Sequence, residues 1–274
     1  MLSIIQALLC LSILPSTVPM HSADHHPPPV PGQQTFMLIH GSWHSAWNWY
    51  KVKPLLEDMG YAVIAPDLPG MGRDKTPLDS VSFSDTVDRL SRLLDGVAGK
   101  VVLVGHSKNG VLISQLAEQR PEKVEKLVYL AAVLAEDGKS AVDYFKMDTG
   151  EVLGPHIASD TVRNSSMLLP EIYREGLYHD CAEEITEMAK IILSPEPRQT
   201  ATVPVHLTPE RYGRVPRYYI ECTEDRAITP PLQQLMYQKS PCKKVYRLPT
   251  SHSPFFSRPR ELCRMLAEIA RDPE

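Results

Sequence analysis

The chain has 274 residues, which suits one α/β domain with a substantial core and room for an insertion. Its 29 basic and 33 acidic residues give a net charge of −4 with no Lys/Arg run, so we expect no nucleic-acid partner. No spacing of its cysteines and histidines matches a zinc motif, and we expect neither a metal ion nor an organic cofactor.

The N-terminal segment differs in composition from the rest of the chain. Residues 1–14 form an apolar run as long as a signal-peptide core but too short to span a bilayer as a helix. We predict a signal peptide over residues 1–22, and hence a secreted or periplasmic protein without a membrane span, although no Lys or Arg precedes the run. Prolines and histidines predict an extended linker over residues 23–34.

Strand and helix patterns then alternate, which is typical of a parallel sheet with helices on both faces. Short apolar or β-branched runs predict strands at residues 35–39, 61–65, 101–104, 124–132, 217–222 and 244–248. Apolar residues at helical spacing predict helices at residues 46–59, 82–94, from Ser107 to residue 120, at 231–238 and at 255–270.

The alternation breaks down between residues 136 and 213. Short helical patterns there, at 170–176 and 182–193, are separated by Pro and Gly. A single-sheet domain has no place for so long a helical excursion. We therefore predict a helical cap over residues 136–213, inserted above a core formed by residues 35–135 and 214–274.

The sequence around Ser107 is typical of a nucleophile elbow, because an apolar strand ends in Gly105-His106-Ser107 and a helical pattern follows. Such a turn favours small residues two positions before and after the serine. Gly105 fits, but Asn109 stands where the second glycine is expected and Gly110 comes one position later. Taken alone, the motif also fits a strand-to-helix turn with an incidental serine.

Several reactive side chains fall at or just after the carboxyl ends of predicted strands, where open parallel sheets bind ligands. A serine nucleophile needs a base and a carboxylate that orients the base. His252, in the loop after the last strand, is the candidate base, and Asp225 is favoured over Glu224 as the acid. Asp67 is the rival acid, but it precedes Ser107 in the chain.

The developing oxyanion needs two backbone N–H donors. Lys108, directly after the nucleophile, is expected to supply one of them. Ser42 is expected to supply the other, since Gly41 before it allows the backbone to approach a substrate closely. The alternative is that residues 40–43 form an ordinary turn at a strand end.

Five stretches together resemble the α/β-hydrolase superfamily, and within it the plant methylesterase and hydroxynitrile lyase group and its bacterial esterase relatives. They are residues 40–47 (HGSWHSAW), 49–56 (WYKVKPLL), 66–70 (PDLPG), 104–107 (VGHS) and 221–225 (ECTED). The resemblance implies an α/β-hydrolase fold with Ser107 as nucleophile, His252 as base and Asp225 as its partner. It also implies an oxyanion hole formed by the amides of Ser42 and Lys108.

Two residues depart from the family pattern. Asn109 replaces the usual glycine of the elbow, and Lys108 replaces a residue that is usually apolar. The Lys108 ammonium would either lie near the pocket mouth, where it favours an anionic substrate, or point into solvent.

The function that fits best is a serine carboxylesterase that acts through an acyl-enzyme on small or medium-sized esters. Gly41, Trp43 and His106 are the expected substrate-binding residues. Other apolar residues are candidate pocket lining or core: Trp47, Met167, Leu168 and Leu169. A hydrolase-like binding protein with little turnover is the alternative. A hydroxynitrile lyase is less favoured, because relatives with that activity carry threonine in place of Gly41 and lysine in place of Ser253. The oligomeric state is not readable.

Overall fold

The structure, a computed structural model, describes residues 33–273. The predicted signal peptide and residues 23–32 of the predicted linker lie outside the described residues. Within the described range, no helix is both long and apolar enough to cross a membrane.

A six-stranded parallel sheet forms the centre of the fold. Its strands are β1 (Thr35–Ile39), β2 (Ala62–Ile64), β3 (Val101–His106), β4 (Val124–Leu130), β8 (Arg217–Cys222) and β9 (Lys244–Leu248). They lie in the order β2-β1-β3-β4-β8-β9. Every residue of β1 and β3 is buried. Burial on both faces explains why these strands are continuous apolar runs rather than alternating ones.

Helices cover both faces of this sheet. They are α1 (Val52–Asp58), α2 (Phe83–Asp95), α3 (Gly110–Gln119), α6 (Pro230–Lys239), α7 (Pro254–Ser257) and α8 (Pro259–Arg271). Alternate residues of each strand enter opposite layers of the core. Phe36 and Leu38 pack with α1 and α8, whereas Met37 and Ile39 pack with α2 and α3. The predicted α/β-hydrolase architecture is therefore confirmed.

Two predicted helices are each divided in the structure. The first consists of a 3₁₀ turn (Ala46–Trp49) and α1, which begins just before Pro54. Proline fits only the first turn of a helix, because it has no N–H to donate. The last is broken between α7 and α8, where Arg258 before Pro259 has an extended φ of −132°. A residue before proline avoids the helical region.

The predicted helical cap contains a small antiparallel sheet in addition to its helices. Its helices are α4 (Ala141–Phe145) and α5 (Glu183–Ile192), with a π-helical turn at Tyr173–Leu177. Its strands β5 (Ile157–Asp160), β6 (Ser165–Leu168) and β7 (Glu196–Pro197) form an antiparallel sheet. These strands have two to four residues each, too few for an alternating pattern to stand out.

Candidate active site

Three predicted residues from distant parts of the chain form one hydrogen-bonded row. Ser107 Oγ lies 2.9 Å from His252 Nε2, and His252 Nδ1 lies 2.7 Å from Asp225 Oδ2. All three side chains are buried at the carboxyl ends of β3, β8 and β9. This row can take a proton from the serine hydroxyl and stabilise the resulting imidazolium.

The elbow holds Ser107 in a strained conformation, with φ at +59°. The turn is packed so tightly that a Cβ on Gly105 would lie 2.9 Å from Ile113, and one on Gly110 would lie 2.1 Å from the Val133 carbonyl oxygen. Asn109 has an ordinary φ of −77°, so a side chain is tolerated there. The small residue that the turn needs is therefore Gly110, and Asn109 is no obstacle to the elbow.

Asp225 is oriented by the loop that follows β8. Its Oδ1 accepts hydrogen bonds from the amides of Ala227 and Ile228, at 2.7 and 3.1 Å, which leaves Oδ2 facing the imidazole. The rival acids lie elsewhere. The Glu224 side chain is exposed, and Asp67 accepts hydrogen bonds from the amide of Ala46, at the start of the 3₁₀ turn after β1, and from the amide of Arg73 in its own loop.

His106 forms a hydrogen bond with the backbone of the candidate base. Its Nε2 lies 2.9 Å from the His252 carbonyl oxygen, which can only accept, so Nε2 carries the hydrogen. Burial and, to a smaller extent, the nearby His252 hold the pKa of His106 well below its usual range. The ring is therefore neutral. His106 lines the pocket as predicted for a substrate-binding residue, but its hydrogen bond positions the His252 loop.

A second histidine fixes the loop after β1. His44 Nδ1 lies 2.7 Å from the Ser42 carbonyl oxygen, and His44 Nε2 lies 2.7 Å from the Tyr178 hydroxyl. Burial lowers the pKa of His44 to about 3, so the neutral ring donates to Ser42 and accepts from Tyr178. This chain of hydrogen bonds joins the predicted cap to the peptide that follows the expected oxyanion donor.

These residues surround a cavity of about 290 Å³. Ser42, Lys108 and His106 line it together with Ser107 and His252. Most of its wall is apolar, and the apolar lining includes Trp43, Phe145, Leu153, Ile157, Leu177 and Ile228. A pocket of this size and character accommodates a small or medium-sized apolar ligand beside the serine.

The remaining candidate lining residues lie elsewhere. Trp47 stacks on Phe256 with ring centroids 5.6 Å apart, Leu168 belongs to the core, and the partly buried Met167 packs against that core. Leu169 is exposed. The lining residues Leu153, Ile157 and Ile228 were not predicted, because they lie in loops or, for Ile157, at the start of the short strand β5, and their sequence gives no sign of where they fold.

Lys108 occupies neither of the two places expected for its side chain. It is buried, with Nζ 2.6 Å from Glu196 Oε2 and 2.9 Å from Thr200 Oγ1. Its charge is therefore paired with a carboxylate in the wall of the cavity rather than left free for a substrate or exposed to solvent. Glu196 and Thr200 were not predicted to belong to the site, since nothing in the sequence links them to a lysine so far away in the chain.

The four cysteines of the described range are free thiols, and Cys222 is buried at the end of β8. Burial raises the pKa of the Cys222 thiol well above its usual range, so it is no nucleophile. Within residues 33–273, no three His, Cys, Asp or Glu side chains are grouped so that they could hold a metal ion.

A parallel sheet with a buried serine, histidine and aspartate at its strand ends defines an α/β-hydrolase. The chain belongs to the alpha/beta hydrolase family, whose sequence model matches residues 36–265. Within the family it groups with the plant methylesterases. It is 34% identical over 254 residues to methylesterase 1 of Arabidopsis thaliana, a match that covers 87% of this chain and 96% of that one.

Two further matches support this grouping. "Putative methylesterase 11, chloroplastic" of Arabidopsis thaliana is 34% identical over 255 residues, and the match covers 86% of this chain but only 64% of the relative. The crystal structure of polyneuridine aldehyde esterase superposes with a TM-score of 0.78 at 30% identity, over 87% of this chain and 99% of that one.

Proposed function

We propose that this protein is a serine hydrolase that cleaves carboxylic esters of small to medium size through an acyl-enzyme. The observation that carries the proposal is the hydrogen-bonded row from Ser107 through His252 to Asp225, which opens into an apolar cavity. A serine hydroxyl attacks an ester only when a neighbouring base takes its proton, and this row supplies that base.

In the proposed reaction, Ser107 Oγ bonds to the ester carbonyl carbon as its proton passes to His252 Nε2. The amides of Ser42 and Lys108 donate to the oxyanion, and Asp225 stabilises the imidazolium. The C–O bond to the alcohol breaks as His252 returns the proton to the departing oxygen. Water then attacks the acyl-enzyme with the same base, which releases the acid and restores Ser107.

Methyl esters of apolar carboxylic acids are the substrate class to test first. The cavity of about 290 Å³ fits a compact apolar acyl group, and the relatives in Arabidopsis are named methylesterases. This proposal comes from pocket size and family relationship together, since neither identifies a particular ester.

Two other functions are less well supported. Relatives with hydroxynitrile lyase activity carry threonine in place of Gly41, but a Cβ there would lie 2.5 Å from His106 Nδ1. A binding protein without turnover has no need of a serine held at φ +59° beside a base.

The test combines a fluorophosphonate probe with a panel of methyl, p-nitrophenyl and lactone substrates. The wild-type protein should label rapidly and hydrolyse at least one ester, whereas Ser107→Ala should lose labelling and at least about 10³-fold in kcat. Rapid labelling without turnover would indicate that the panel lacks the substrate. No labelling of a folded wild-type protein would refute the proposal, and cyanide release from mandelonitrile that depends on Ser107 would favour a lyase.

Export is the second part of the proposal, and it depends on the apolar run within residues 1–22. The word "chloroplastic" in the names of several relatives favours an organellar transit segment instead. N-terminal sequencing of the mature protein and fractionation of its native cells distinguish the two.

A further inference from the structure

One short segment of the predicted cap contacts both sides of the expected oxyanion hole. This segment, residues 194–200, contains β7 and ends within the 3₁₀ turn Arg198–Ala201. We call it the clamp segment. Its first residue, Ser194, donates its amide to the Trp43 carbonyl oxygen at 3.1 Å. Trp43 directly follows the expected donor Ser42 and has a φ of +60°, so its backbone needs external support.

The other end of the clamp segment holds the elbow. Lys108 Nζ donates to Glu196 and Thr200, and Thr200 Oγ1 passes its own hydrogen to the Pro197 carbonyl oxygen at 2.8 Å. The Lys108 and Glu196 side chains are only 4% and 8% exposed. The residue whose amide is expected to face the oxyanion is thereby tied through its side chain to the predicted cap.

A buried ion pair is a poor device for stability, because desolvation of the two charges offsets most of their attraction. Its strength is specificity, because within residues 33–273 the ammonium pairs with no second carboxylate, and any shift of the clamp segment leaves a charge unpaired. An apolar residue at position 108 would tolerate such a shift. The ion pair therefore restricts the clamp segment to one register over the elbow.

We propose that Lys108 is a positioning residue for the oxyanion hole. The ion pair of its side chain with Glu196 couples the predicted cap to the positions of the Ser42 and Lys108 amides. The inference rests on the proposed esterase function. With the clamp segment in place, the Ser42 and Lys108 amides are held at a fixed separation. With the ion pair broken, the pocket still binds an ester, but the two donors no longer converge on the oxyanion.

The test compares Glu196→Gln and Lys108→Met with Lys126→Met. Lys126 is also a buried, ion-paired lysine, but it bonds Glu125 and the Ala270 carbonyl, away from the pocket. For Glu196→Gln and Lys108→Met, kcat should fall about 10- to 100-fold, and KM should stay within about threefold of the wild-type value. Complete loss of one oxyanion donor lowers kcat by about 10²–10³-fold, and a partly misplaced donor lowers it less. Lys126→Met should keep the wild-type kcat.

Two ketones of equal length separate positioning from a loss of folding. Ser107 Oγ adds to the carbonyl carbon of a trifluoromethyl ketone while its proton passes to His252 Nε2, and the former carbonyl oxygen becomes an oxyanion in the hole. The methyl ketone binds without this addition. Affinity for the first should fall by the same factor as kcat/KM, and affinity for the second should stay within about threefold of wild type. Equal losses for both ketones, or an unchanged kcat, would overturn the proposal.

A double variant, Lys108→Met with Glu196→Met, covers the case in which a single variant does not fold. It removes both charges of the pair, so its melting temperature should stay near that of wild type while the loss in kcat persists. Wild-type kcat in this variant would contradict the inference.

Hydrogen exchange tests the coupling independently of turnover. In Glu196→Gln, amides at residues 42–44 and 107–110 should exchange faster, whereas those of β4 should not. Unchanged exchange refutes the coupling whether or not the wild type hydrolyses esters. An inactive wild type with the expected exchange refutes only the proposed function.

Discussion

Gly41→Ala is the substitution whose effect the structure determines best. A methyl group at this position would lie 2.5 Å from His106 Nδ1 and 2.9 Å from Ser107 Cβ. The His106 ring cannot swing away freely, because its Nε2 is bonded to the His252 carbonyl oxygen. Ordinary carbon contacts begin near 3.5 Å, so the loop after β1 must retreat by about 0.5 to 1 Å.

That retreat moves the Ser42 amide away from the oxyanion. A misplacement of about 1 Å in a catalytic group costs roughly 10²-fold, and complete loss of an oxyanion donor costs about 10²–10³-fold. We therefore expect kcat for p-nitrophenyl acetate to fall by about 10²-fold with KM little changed. Gly96→Ala is the control, since a Cβ there meets nothing nearer than 3.5 Å. Wild-type kcat in a folded Gly41→Ala protein would refute this reasoning.

Three further predictions concern the hydrogen bonds around the site. In Asp225→Asn the amide group would face His252 Nδ1 and force the wrong tautomer of the imidazole. We expect kcat to fall about 10⁴-fold while the melting temperature is unchanged. A loss in kcat below tenfold would contradict the assigned role. Tyr178→Phe leaves His44 Nε2 buried without a donor and should lower the free energy of unfolding by about 1–3 kcal/mol in urea titrations, and a neutral result would argue against the bond. Burial lowers the pKa of His40 to about 4 and that of His44 to about 3, from 6.5. Below pH 6.5 the unfolded chain therefore binds more protons, and the free energy of unfolding should drop by roughly 1.4 kcal/mol per pH unit for each ring; a flat profile from pH 7 to 5 would exclude this.

The sheet and the reactive residues were predictable from the sequence because both depend on local patterns. The strand β3 is a short apolar run that ends in Gly105-His106, directly before Ser107, and parallel strands bring their carboxyl ends to one edge of the sheet. Asp225 and His252 could be chosen because each follows a recognisable strand. Their convergence on Ser107 then follows from the topology rather than from any one motif.

The predicted cap could not be worked out in the same way. Its sheet consists of strands such as Ser165–Leu168, whose serines give no hydrophobic alternation. The partner of Lys108 is Glu196, 88 residues further along the chain, and a lysine gives no local sign of what it will pair with. Long-range polar contacts of this kind depend on the folded loops, so the structure was needed to replace both expectations for the Lys108 side chain.

The structure also gives Asn109 a role that the sequence did not indicate. Its Nδ2 donates to the carbonyl oxygen of His40 at the end of β1, at 2.6 Å and out of contact with solvent. The side chain therefore ties the elbow to the strand that leads into the expected oxyanion loop. A glycine, the usual residue of the family, would leave that buried carbonyl without this donor and would add chain flexibility to the unfolded state.

Asn109→Gly should for that reason weaken the protein rather than relieve its elbow. We expect the free energy of unfolding to fall by about 1–3 kcal/mol for the lost hydrogen bond and by a further 0.5–1 kcal/mol for glycine's entropy, as measured by urea titration. Asn109→Ala separates the two terms, because it loses the hydrogen bond alone. An Asn109→Gly protein that is more stable and faster than wild type would contradict this reasoning, because it would show that the asparagine strains the turn that holds Ser107.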